Sequence, residues 1–299
     1  MRLIKIKGHE NWMIFIGSLV LFVIVILTLL YSIISPYDPT KSSVNIKGET
    51  IFIKPLLPPL SKIEVEVNGS KHELFFLFGT DQVGRDVFTR VIAGSSFVLS
   101  VAILATLLSL SIGLPLGLLS GYVGRIYDRA LSLVMDSIYA FPGLILAIAV
   151  AALLGIGLVN MIVAIAVVYI PSYFRIVRGQ VLSLKEQPFI EAAIALGMPK
   201  TNILFKQIMP NVFPSLFVIT TLNIADAIII EAALSFLGLG ISPPTPDWGL
   251  DISQGKRYFL AGAWWVGIFP AMMISLAVLG FSLIGEGFDE KLNPKIRTK

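Results

Sequence analysis

Three acids stand inside long apolar stretches of this chain: Asp136, Asp226 and Glu231. An ionisable group at membrane depth costs about 2.5–3.5 kcal/mol on insertion scales, so it turns towards protein interior or water. It then marks a helix contact or a polar pathway. For each of the three, packing or a hydrogen-bonded helix contact is preferred over contact with a transported solute. Asp136 follows Arg129 by two helical turns, so an ion pair between them needs intermediates. Asp226 and Glu231 point about 140° apart on a straight helix, so they cannot both line one narrow pathway. Other chemistry finds no footing. The chain has no cysteine, and its two histidines, His9 and His72, lack metal-ligand spacing. No Ser/His/Asp constellation occurs. A phosphate-cradling loop needs G-x4-G-K-[ST]. The nearest stretch, Gly249 to Arg257, has five intervening residues and ends in Arg. No cofactor or metal is expected in this chain.

The elements that position those acids are membrane helices. Of 299 residues, 56% are hydrophobic and 14% charged, and mean hydropathy is +0.85. A soluble domain is about 45–50% apolar and about 25% charged. The net charge of +4 is too small to indicate nucleic-acid binding. Six stretches approach the roughly 20 apolar residues a span requires: Trp12–Ile34, Phe97–Leu119, Ala130–Leu154, Leu158–Phe174, Val212–Leu239 and Ala263–Ile284. The fourth is short and can continue towards Arg175; the fifth is long enough to be tilted, broken or partly re-entrant. The first follows Arg2, Lys5 and Lys7 but exceeds a signal-peptide core and lacks a small-residue cleavage site, so it is read as an uncleaved anchor. With both ends in the cytoplasm, most of the 23 Lys and Arg fall on the inside, as short loops require.

Two loops are long. In residues 35–96, Lys62 to Val67 alternates apolar and polar residues, Asn68-Gly69 follows, and a second apolar run spans Leu74 to Phe78. That order predicts a hairpin, hence a small external β-rich insertion between the first two helices. In residues 175–210, Phe189 to Gly197 reads as a short helix with Pro188 near its start and a glycine C-cap at Gly197. A second short helix is expected from about Thr201 to Met209, with Pro210 and Pro214 marking the start of the fifth span. Two short helices joined at a glycine make a projection that suits protein docking or rests on the membrane surface. Gly113, Gly117 and Gly121 form a small-residue stripe for close helix approach, within the chain or with a partner. Pro115, Pro142, Pro171 and Pro270 mark kinks or helix ends.

Glu191-Ala-Ala-x-x-x-Gly197 with Ile208-Met-Pro210 resembles the EAA motif, E-A-A-x3-G-x9-I-x-L-P, of permease subunits of bacterial and archaeal ABC importers. Gln207 and Met209 depart from the pattern and Pro210 matches it. Gly79-Thr-Asp-Gln-Val-Gly-Arg-Asp86 is similar to a segment of the dipeptide/oligopeptide "C-type" permease. So are Leu234 to Gly240 followed by Pro243 to Gly249, Trp264-Trp265 through Pro270 with Leu283 to Asp289, and Asp136 with Ala140-Phe-Pro142.

The resemblance implies a type I importer permease fold: all-α, six spans, N-in/C-in. It divides the chain into a cytoplasmic N-terminus and first helix (1–34), the external insertion (35–96), a five-helix core (97–285) containing coupling segment 186–210, and a cytoplasmic tail (286–299). It also implies partners: a second homologous permease, two ATP-binding ATPase subunits and an external solute-binding protein. In that family the EAA helix enters a cleft on the ATPase. Glu191 would contact the ATPase or cap the helix, Ala192 and Ala193 would permit close approach, and Gly197 would permit the turn. The expected function is half of a peptide-import pathway in the cell membrane, without catalytic chemistry of its own. An oligosaccharide cargo, an ATP-independent transporter and a membrane scaffold are the alternatives.

Overall fold

The computed structural model describes residues 9–292. Arg2, Lys5, Lys7 and the end of the 286–299 tail lie outside the described residues. In chain order the elements are α1 (His9–Ile34), two hairpins made of β1 (Ser43–Ile46) with β2 (Glu49–Phe52) and β3 (Ser61–Val67) with β4 (Ser70–Phe76), then α2 (Val87–Val123). There follow α3 (Arg125–Tyr139), α4 (Gly143–Leu154), α5 (Leu158–Lys185), α6 (Pro188–Ala195) and α7 (Lys200–Asn202). A π-helical turn, Ile203–Ile208, joins α7 to α8 (Met209–Phe236), and α9 (Trp248–Phe259) and α10 (Trp265–Leu292) complete the described chain.

α1, α2, α5, the continuous run Lys200–Phe236 and α10 are each long and apolar enough to cross a membrane. A sixth is reached when α3 and α4 are counted as one span, which departs from the single third stretch expected over Ala130–Leu154. The two helices are bent by 91°. Pro142 lacks an amide proton and adopts ψ 127°, so the helix cannot run through Ala140-Phe141-Pro142. Pro115, Pro171 and Pro270 instead lie inside helices. The fourth span extends well past Phe174, carrying Arg175 and Arg178 on α5.

The spans sort into a centre and a rim. Of their apolar windows, 44% is buried in α2, 44% in α5 and 50% in Lys200–Phe236, against 17% in α1 and α10, which therefore form the lipid-facing rim. Lipid tails supply no hydrophobic drive between helices, so association depends on close fit. The α2 glycine stripe provides it inside this chain. A Cβ on Gly113, Gly117 or Gly121 would lie 2.6, 2.7 and 2.7 Å from the Cβ atoms of Tyr173, Val177 and Val181 of α5. On the rim, a Cβ on Gly17 of α1 would sit 2.6 Å from the Gly280 carbonyl of α10.

The second hairpin turns at Asn68 (φ 52°) and Gly69 (φ 72°), the left-handed pair such a two-residue turn needs. Its inner face sets Leu74 and Phe76 against Ile53, with Tyr37 stacked on Phe76 at 5.0 Å. The first hairpin, turning at Lys47-Gly48, was not anticipated from the sequence, because Lys-Gly is a weak turn signal.

Candidate functional site

Two regions collect the residues of interest. The first is the projection around α6. Pro188 opens the helix and Glu191 occupies its first turn, exposed to solvent, where negative charge is favourable. Ile190 and Ala193 face inward and are buried with Ile203 and Ile208, whereas Ala192 is exposed. The end is a Schellman motif. Gly197 (φ 76°) donates from its amide to the Ile194 carbonyl at 2.9 Å, and Met198 donates to Ala193 at 3.0 Å. Phe189, Ile194, Leu196 and Phe205 are exposed around Glu191, Leu196 by 86%.

The second short helix expected over 201–209 is not a separate element. α7, the π turn and α8 form one continuous rod from Lys200 to Phe236, and Pro210 lies just inside α8 instead of breaking it. The wider π turn directly before Pro210 absorbs the missing amide, and the Asn211 side chain donates to the Gln207 carbonyl at 2.6 Å. α6 therefore packs against the start of one continuous helix that runs on into the apolar region.

The second region is a cavity of about 330 Å³ between the α3–α4 bend, α5 and α8, lined among others by Tyr139, Phe141, Tyr169, Ser172, Asn223 and Asp226. The structure separates the three acids of the spans. Asp226 is exposed in this cavity. Glu231 is 0% exposed, and its Oε1 accepts from the Ser235 hydroxyl, which also lies 3.2 Å from Asp247 Oδ2. Asp136 pairs not with Arg129 but with Arg175 of α5 at 2.7 Å, while that guanidinium stacks on Tyr139 at 3.9 Å. A second strap, Asp128 to Arg178, holds the other end of α3 to α5.

The family-like segments Gly79–Asp86 and Pro243–Gly249 meet at one place, which no sequence spacing announced. Arg90 of α2, 1% exposed, pairs with Asp251 of α9 at 2.6 Å and donates to the carbonyls of Pro39 and Pro244. Arg85 pairs with Asp81 at 2.6 Å. The Trp248 indole donates to the Val91 carbonyl at 2.8 Å, and Trp265 donates to Thr80 at 3.0 Å. Asp86 caps α2 through Thr89, and burial pushes its carboxyl up to about 6 against those two hydrogen bonds. The stretch Gly249 to Arg257 lies wholly within helix α9, and a Cβ at Gly249 would lie 2.2 Å from the Ala232 carbonyl, so it is a packing surface and not a phosphate loop. Among the described residues no His, Cys, Asp or Glu group has metal-binding geometry.

Known proteins resemble this chain. The family model described as "Binding-protein-dependent transport system inner membrane component" matches residues 113–298. The dipeptide transport system permease protein DppC of Alkalihalophilus pseudofirmus is 44% identical over 221 residues, 74% of this chain and 72% of that protein. The glutathione transport system permease protein GsiD of Escherichia coli is 41% identical over 220 residues, 74% of this chain and 72% of that one. An inward-facing structure of the MetNI methionine ABC transporter shares the fold at TM-score 0.54 and 22% identity, covering 68% of this chain and 96% of that one. The chain belongs to the binding-protein-dependent transport system inner membrane components and is a multi-pass membrane permease of an ABC importer.

Proposed function

We propose that this permease forms half of an ATP-driven import pathway for peptides and is moved through α6 by separate ATPase subunits. The observation that carries the reading is the α6 projection. Glu191 and Ala192 are presented outward, Gly197 closes the helix, and buried Ile190 and Ala193 tie it to the rod that continues as α8. The exposed apolar residues around Glu191 suit a cleft on a soluble partner. Peptide cargo is supported by the names of the similar proteins, a dipeptide and a glutathione permease. ATP is bound by the partners, and this chain holds no nucleotide or cofactor and carries out no covalent chemistry. The assembly contains a second homologous permease, two ATPases and an external solute-binding protein. The basic segments, α6 and both chain ends face the cytoplasm, and the hairpins face outward.

Proteoliposomes containing the assembled importer test this. Peptide uptake is expected only when the ATPases, ATP and loaded binding protein are all present, and full-rate uptake by this chain alone refutes the coupling. Gly197→Pro cannot adopt φ 76°, so it is expected to abolish ATP-driven uptake while the protein still inserts and purifies normally.

A further inference from the structure

We propose that the cavity at the α3–α4 bend is a subsite for the free amino terminus of a peptide, an ammonium group followed by a carbonyl; this rests on the peptide-import reading above. Asp226 supplies the charge. Among the described residues its carboxylate makes no ion pair or hydrogen bond, and none of the cavity's other lining residues is charged. The nearby cation, Arg175, is already committed to Asp136 at 2.7 Å. An uncompensated carboxylate in a cleft inside a membrane protein draws a cation from outside the chain.

The neighbours of Asp226 narrow the ligand. Asn223 stands one turn earlier on the same face of α8 and lines the same cavity, its side chain beside the Tyr173 hydroxyl. A carboxylate acceptor with a side-chain amide one turn away matches an ammonium and the polar backbone that follows it in a peptide. The rings of Phe141 and Tyr169 supply apolar surface for the first side chain and π faces that favour a cation. The volume of about 330 Å³ is at the small end of ligand sites, enough for one end of a peptide and not for a long one. A sugar offers no charge for Asp226, and a net anion is opposed by it. Glu231 has no part in this, because it is sealed against Ser235 on the other side of α8.

The chain has no cysteine, so Ser172→Cys places a single thiol in the cavity. The full chain purified in detergent is treated with a trimethylammonium-ethyl or a sulfonato-ethyl methanethiosulfonate. The ratio of cationic to anionic labelling rates is expected to fall on the order of ten-fold when Asp226→Asn is added, the size of field focusing by a charged cleft. In the assembled importer, at saturating loaded binding protein, Asp226→Asn is expected to lower uptake of a free-amino dipeptide by about ten-fold. Asp226→Glu is expected to restore most of it. An unchanged labelling ratio overturns the subsite whatever the protein transports. A changed ratio with unchanged uptake leaves a cation-attracting cavity off the peptide's route and also overturns it. If the wild-type importer shows no ATP-dependent uptake, the function proposed above fails first and the subsite falls with it. Asparagine is isosteric and position 226 makes no hydrogen bond, so loss of folding does not obscure the result.

Discussion

At the scale of single residues, buried charge at the α2–α9 junction decides more than any exposed pair. Arg90 places its donors on Asp251, Pro39, Pro244 and Thr245 while almost wholly removed from solvent. Truncating one member of such a pair leaves the other charge buried, at a cost of about 3–5 kcal/mol. Arg90→Met is therefore expected to lower thermal stability in detergent by that order, whereas Lys71→Ala, which breaks an exposed pair with Glu64, changes it little. Asp86 gives a pH signature of opposite sense to a solvated ion pair. Its folded-state carboxyl titrates near 6 instead of 3.8 because it is buried, so between those values the folded form holds more protons than the unfolded one. The contribution to stability is full below about pH 4 and declines as pH rises to about 6. Asp86→Asn keeps a capping side chain, and melting curves across that window are expected to show a flatter pH dependence than the wild type.

At the scale of elements, α2 and α5 are one unit because three glycines let their backbones touch. Gly117→Leu would drive a side chain into Val177 and the Phe174 carbonyl, with the nearest contacts at 2.7 and 2.8 Å for Cβ alone. Overpacking of this kind costs about 1–3 kcal/mol or more. Size-exclusion profiles are expected to show aggregated Gly117→Leu protein and monodisperse Gly179→Ala protein, since nothing lies near a Cβ at Gly179. The same elements show what a sequence can disclose. Long apolar runs gave away the spans, and Asn68-Gly69 gave away the second hairpin, because membrane thickness and turn geometry are local constraints. The 91° bend was readable only as a proline position; the straps Asp128–Arg178 and Asp136–Arg175 that hold α3 depend on another helix. α9 passed unnoticed because it is short, polar along one face and preceded by prolines. The short helix before Gly197 was legible from its glycine, yet the fusion of the next segment with α8 was not, since prolines at 210 and 214 argue for a break and a π turn hides in no composition. Among the acids, helix periodicity separated Asp226 from Glu231, but which of them met a cavity required the packing of α5.

At the scale of the whole molecule, the two ends of the chain close on each other. α1 docks on α10 through Gly17, Gly280 and Gly287, where a Cβ would meet backbone or side-chain atoms within 3 Å. If the chain is expressed as two pieces divided between α1 and β1, the α1 piece is expected to copurify with the remainder. Gly280→Leu in the larger piece is expected to abolish that copurification, and retention of α1 by this variant would show that the glycine contact does not hold the ends together.

That closure also has a consequence during synthesis. α1 leaves the ribosome long before its mate, because everything between Ile34 and Trp265 must be translated before α10 exists. At about 5–20 residues per second, the wait is on the order of 10–50 s. Through that interval the newborn anchor must stand alone in lipid, and its mean hydropathy of 3.1, the highest of the five long apolar helices, equips it to do so.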